Sequence, residues 1–138
     1  MTDAAINDML TQVLGASGTF GNLYFGLIDA TNYTGIDKTN DTMASHAGWQ
    51  EYTTYSEGTR QQWVPGVVSS KSIVNPAPAA VTPTVLGQAV GFFITDSATK
   101  GGTTGHLRDL VLFDQLEDLL VGEAFEMTWT ESMKDIGS

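Results

Sequence analysis

The stretch Asp41–Trp63, DTMASHAGWQEYTTYSEGTRQQW, sets Trp49, Tyr52, Tyr55 and Trp63 among Thr, Gly and Ser with almost no aliphatic residues. Aromatics make up only 9% of the chain, so this window is strongly enriched in them. In an extended backbone, Trp49, Glu51, Thr53 and Tyr55 share one face, and Gln50, Tyr52 and Thr54 the other. Aromatic and Thr side chains suit a half-buried pleated surface. The window therefore predicts a β-strand, a turn at Ser56-Glu57-Gly58-Thr59 and a return strand near Trp63. It places no catalytic group.

Working outward, the same two-residue period recurs. Leu23, Phe25 and Leu27 alternate with Tyr24, Gly26 and Ile28. Val67–Val74 reads as a strand, and Pro83 leaves Ala79–Val85 at best an edge strand. Gln88–Thr95 is almost continuously apolar, as expected of a strand in the middle of a sheet. Lys100–Gly105 is a turn-rich link to His106–Phe113. An acidic excursion, Asp114–Asp118, precedes Leu119–Val121, and the last strand is Ala124–Thr130. Phe92, Ile94, Leu110, Leu112, Phe125, Met127 and Trp129 are expected to face inward. The tail Glu131–Ser138 is expected to be solvated. Asp29–Gly48 is a long, polar, turn-rich connection of the kind that is either functional or ordered against a neighbour.

One helix precedes the strands. Ile6, Met9, Leu10, Val13 and Leu14 form an apolar stripe at helical spacing, with Thr2 as expected N-cap and Gly15 as the stop. The predicted fold class is mainly β: an antiparallel β-sandwich or barrel of about seven strands with one N-terminal α-helix. The expected organisation is residues 1–18, helix and loose connector, followed by residues 19–138, the β-domain. A tethered amphipathic helix suits a groove on a neighbour. The candidate partners of the stripe are the chain's own sheet or another chain; the expectation taken forward is contact with a sister subunit or with the larger assembly, the β-domain folding without residues 1–18.

Composition bounds the function. The chain has 138 residues, 15 Gly, 18 Thr and a net charge of −10, with 16 acids against 6 bases. Such a balance repels phosphate backbones and anionic bilayers, so neither nucleic acid nor membrane is an expected partner. There is no cysteine, which removes disulfides and thiolate metal sites. The opening Met1-Thr2-Asp3 does not read as a secretory leader, which gives cytoplasmic synthesis as the expectation and no glycan role to the sequons Asn32–Thr34 and Asn40–Thr42.

Chemistry-bearing motifs are sparse. His46 and His106 lie far apart in sequence with no Cys to join them. Asp29, Asn32, Asp37, Asn40 and Asp41 gather oxygen ligands, but not in the order of a calcium loop, and such residues are ordinary turn formers. Lys100–Gly105 lacks the order of a phosphate-binding loop. Ser residues sit in no nucleophile elbow. The reading is a protein that is not an enzyme and needs no cofactor or metal. The aromatics Tyr24, Trp49, Tyr52, Tyr55, Trp63 and Trp129 are expected in a core or an oligomer interface, with a sugar-stacking platform as the competing use.

Taken in order, the segments LYFGLID, DTMASHAGWQEYTTYSEGTRQQW, VVSSKSIVNPAP, GQAVGFFITDSATKGGTTGHLRDLVLF and VGEAFEMTWTES resemble a family of small virion structural proteins of tailed bacteriophages. The resemblance spans roughly Leu23 to Glu131. It implies a capsid decoration, or cement, protein on the outer surface of the head. The major capsid protein would be its partner, and self-association as a homotrimer is implied too. Ile6, Met9, Leu10, Val13 and Leu14, with Trp49, Tyr52, Tyr55 and Trp63, are the expected interface residues. A tail- or fibre-associated virion protein and a carbohydrate-binding β-sandwich module are the alternatives.

Overall fold

The structure, a computed structural model, describes residues 3–15 and 18–132. The expected Thr2 cap, Ala16 and Ser17 of the connector, and the tail from Met133 onward lie outside the described residues. The fold is mainly β with one helix. α1 (Asp3–Leu14) is followed by β1 (Leu23–Asp29), β2 (Glu51–Tyr52), β3 (Gln61–Trp63), β4 (Ser72–Val74) and β5 (Ala79–Val81). β6 (Gly87–Thr95), β7 (Leu107–Leu119), β8 (Phe125–Met127) and β9 (Thr130–Ser132) complete the order.

Every strand pairing is antiparallel. The main sheet runs β2-β1-β6-β7, and β3 also pairs with β1. β2 and β3 lie one after the other beside β1, with Tyr52 opposite Leu27 and Trp63 opposite Leu23. Two small ribbons, β4-β9 and β5-β8, form a second layer. β6 is a central strand, as its continuous apolar run predicts, because both of its faces are covered. Phe92 and Ile94 enter the core shared with the ribbons. Val90 and Phe93 enter a second core under the long connection after β1.

That second core explains the connection. Met43 and Trp49 are buried with Ile28, Phe93 and Leu110, and Ala30, Tyr33 and Ile36 pack around them. Residues 30–49 thus cover a sheet face that would otherwise be exposed and apolar. Gly26 makes this packing feasible. It lies opposite Phe93 in the β1–β6 register, and a Cβ there would come within 2.0 Å of the Phe93 ring.

Several expectations change. Leu112 is 46% exposed, because it pairs with Gly91 and shares the strand face of Leu110 beyond the edge of that second core. Val111 and Phe113, not Leu112, pack toward the ribbons. The acidic stretch Asp114–Asp118 is not an excursion but part of one long β7. It is bulged, however: the two-residue step from Ala89 to Gly91 is matched by the five-residue step from Glu117 to Leu112. Val67–Val74 forms a strand only from Ser72, because Ser70 and Lys71 both take positive φ (50° and 62°) in a tight turn closed between Ser69 and Ser72.

The helix is not a tether. Ile6, Leu10 and Leu14 are buried in the same core as Phe25, Trp63, Ile73 and Trp129. Its carbonyls at Gln12 and Val13 accept from Thr19 N (2.7 Å) and Phe20 N (3.1 Å), so the chain after the helix is tied to its last turn. Asn7 Oδ1 accepts from Lys71 N at 2.8 Å, fixing the helix to the Ser69–Ser72 turn. The boundary expected at residue 18 is therefore crossed by one continuous core.

Candidate assembly surfaces

The four aromatics of the opening window are not a surface. Trp49, Tyr52, Tyr55 and Trp63 are all buried within the chain, at 4% exposure or less. Each serves a separate packing purpose. Trp49 stacks on His46 with ring centroids 3.7 Å apart and donates its indole N–H to Asp41 Oδ2 at 3.0 Å. His46 Nδ1 in turn pairs with the Trp49 carbonyl at 2.8 Å. Trp63 meets Trp129 edge-on at 4.8 Å and donates to the Trp129 carbonyl at 3.0 Å. Tyr52 and Tyr55 both enter the main core. Residues three apart cannot share a face of a straight strand, so the chain turns between them: β2 ends at Tyr52, and Tyr55 bridges to Pro83 instead. The interface expected at these residues is corrected accordingly, since burying them completes this chain's own core.

The turn between β2 and β3 is held by a group the sequence did not reveal. The Arg60 side chain is fully buried and pairs with Glu51, itself 8% exposed. Its Nε and Nη2 donate to Glu51 Oε2 and Oε1 at 2.9 and 2.7 Å, a bidentate fork. Nη1 donates to Ser97 O and Nη2 to Gly102 O, at 2.9 and 3.0 Å. Gly101 N completes the set by donating to Glu51 Oε1 at 3.0 Å. A buried charge is tolerated only when paired and hydrogen-bonded, and here every partner belongs to the loop between β6 and β7 or to β2. The sole signal available was an opposite charge on each side of a Gly/Ser turn.

The neighbouring cation works the same way. Lys100 Nζ donates to the carbonyls of Tyr55 (2.8 Å) and Glu57 (2.7 Å) and lies 4.3 Å from the Tyr55 ring centre. The Tyr55 hydroxyl has no hydrogen-bond partner among the described residues. Burial, followed by the charge of Glu51, pushes its pKa up.

The candidate ligand groups are spent locally. Asp37 Oδ1 accepts from Thr39 N and Asn40 N, and Asp41 Oδ2 accepts from Asp37 N. The Asn40 side chain, then the Thr39 and Asn40 amides, hold the Asp37 carboxyl below the usual carboxylate range. Asp29 Oδ1 accepts from Thr31 N. These are turn contacts, and among the described residues no three His, Asp or Glu side chains gather as a metal set. His106 instead pairs with Asp96 at 2.7 Å, and Arg108 lies 3.6 Å from the same carboxylate.

Among the described residues, two of the larger grooves carry exposed apolar side chains. The first is a groove of about 510 Å³ beside α1, lined by Met9, Leu10, Val13, Leu14, Phe20 and Trp129, with Arg108, Asp109 and Glu131. Met9 is the member of the helix stripe that stays 41% exposed, and Val13 is half-buried. Burial, then repulsion from Asp109, raises the Glu131 pKa. The second is the end of the domain where the β5–β6 link meets the β7–β8 turn, which exposes Val85, Leu86, Leu120 and Val121. Consecutive aliphatics such as Leu119-Leu120-Val121 cannot all face one way on a strand, a signal that sequence reading passed over. Leu119 is buried and its two followers are not.

No protein-family model matches the chain, and no curated protein matches it. No helix among the described residues is long and apolar enough to cross a membrane.

Proposed function

We propose that the chain is a structural virion protein, a capsid decoration protein that binds the outer surface of a phage head and reinforces it. The observation that carries this reading is the exposed aliphatic end. Val85, Leu86, Leu120 and Val121 are exposed at this end, with Leu86 and Leu120 lining one groove, whereas the other exposed large apolar side chains among the described residues (Met9, Val64, Val67, Leu112 and Leu116) come from several separate elements. Contiguous apolar surface of this kind marks contact with another macromolecule. The domain around it suits such work. Its buried ions, Arg60 and Glu51, clamp loops, and its aromatics fill two cores. The order of segments that resembles phage virion proteins supports the same role, and the net charge of −10 keeps such a surface away from packaged nucleic acid. A sugar-binding platform draws less support, since Trp49, Trp63 and Trp129 are all buried.

The test is the composition of purified particles. Stained gels of intact virions and of tail-free heads are expected to show the protein on both, in step with the major capsid protein. Its absence from heads, or its presence in a few copies that leave with the tails, would overturn the reading.

A further inference from the structure

Two chain segments build the aliphatic end. In register, Gly87 lies opposite Leu119 and Gln88 opposite Asp118. Gln88 Nε2 donates to Asp118 Oδ1 at 3.0 Å, and Gly122 N donates to Pro83 O at 2.9 Å. The Tyr52 hydroxyl holds the Val85 carbonyl from below the surface. The turn is thus fixed by the fold, with Gly122 supplying the positive φ of 79° it needs. On this frame Val85, Leu86, Leu120 and Val121 are 54%, 68%, 43% and 58% exposed. A groove of about 650 Å³ opens between Leu86 and Leu120 and reaches Ala30 and Thr31.

The charge around this surface selects what covers it. Residues 29–31, 83–88 and 114–124 contain no Lys, Arg or His, while Asp118 lines the groove and Glu123 is exposed in the turn that follows. A second copy docked end to end would set these carboxylates against one another, which disfavours that contact. A surface with Lys or Arg around an apolar knob would satisfy both features at once.

We propose that this end is the docking surface, and that its partner is a protein face presenting an apolar projection flanked by Lys or Arg. The inference rests on the decoration reading, which makes that face part of the outer capsid lattice. Apolar contact then supplies holding strength, while the acidic rim supplies orientation and a salt-sensitive approach.

The experiment is co-sedimentation of the purified full chain with heads of the encoding phage that lack it, over a range of salt. Leu86→Ser/Val121→Ser alters only exposed side chains, so its melting curve is expected to match the parent, while its affinity falls about tenfold or more. Asp118→Asn/Glu123→Gln, which keeps an acceptor for Gln88, is expected to bind several-fold more weakly at low salt and to lose most of the salt dependence. Full binding by the Leu86/Val121 variant, with the parent also bound, overturns the docking surface and leaves the decoration role standing. Unchanged salt dependence in the Asp118/Glu123 variant overturns the basic rim. Failure of the parent chain to sediment with heads overturns the decoration reading itself.

Discussion

Arg60→Ala is the perturbation that most strains the account of the fold. The guanidinium is fully buried, and its removal deletes two hydrogen bonds to Glu51 and one each to Ser97 O and Gly102 O. Glu51 keeps Gly101 N as a donor but loses its counter-charge. Breaking a buried pair by removing one partner costs about 3–5 kcal/mol, because the remaining charge stays desolvated. With a urea m-value of about 2 kcal/mol/M, the unfolding midpoint is expected to fall by about 2 M. Trp49 packs 5.1 Å from Phe93, the ring beneath Arg60, so tryptophan fluorescence reads the transition. Glu51→Gln is expected to cost a similar amount, and the Arg60→Met/Glu51→Leu double variant much less than the sum, since an apolar replacement strands no charge. A loss below about 1 kcal/mol for Arg60→Ala, or additivity in the double variant, would refute the clamp.

Four further outcomes follow from the packing. The two core tyrosines are expected to diverge: Tyr52→Phe loses a hydroxyl bonded to the Thr54 and Val85 carbonyls and costs about 1–2 kcal/mol, whereas Tyr55→Phe removes an unpartnered hydroxyl and is neutral or stabilising in the same urea titration. Gly26→Ala is expected to destabilise by about 1–3 kcal/mol or more, since the new methyl meets the buried Phe93 ring; a variant as stable as the parent would show that the two cores are looser than described. Leu10→Ala is expected to cost about 2–5 kcal/mol in one cooperative transition, and a separate early helix transition would restore the tether. For pH, burial works against the Asp96 carboxylate, but hydrogen bonds from the His106 amide and ring, with the charges of His106 and Arg108, hold its pKa below the ordinary value. A depressed carboxylate contributes stability above its unfolded pKa and loses it as pH falls through the folded value. Asp96→Asn is therefore expected to be less stable than the parent near neutrality, with the gap closing below about pH 4 in parallel melts.

What was legible in the sequence is what periodicity carries. The run Gln88–Thr95 announced a central strand, and Leu23–Ile28 its neighbour. The stripe Ile6, Leu10, Leu14 announced a helix with one apolar face. Periodicity does not say which surface that face meets. The helix packs on its own sheet because Gln12 and Val13 accept from Thr19 and Phe20, a return no residue type announces. The aromatic window forms strand only at Glu51–Tyr52 and Gln61–Trp63, and the chain swings between Tyr52 and Tyr55 to send both rings fully into one core. Strand alternation alone puts Leu110 and Leu112 together on the inner side. They do share a strand face, but the second core ends before Leu112, and only the bulge and register of β7 fix that limit. Arg60 was silent for a related reason. Two of its four acceptors belong to Glu51 across the turn, but the carbonyls of Ser97 and Gly102 are distant in sequence and meet Arg60 only in the folded chain.

Hydrogen exchange of the protein, free and bound to heads, tests most directly the claim that the aliphatic end makes the contact while the aromatics serve the core. New protection is predicted at residues 84–88 and 116–124, with amides of residues 49–63 equally slow in both states. New protection confined to residues 49–63 or to α1, with the aliphatic end unchanged, would contradict it.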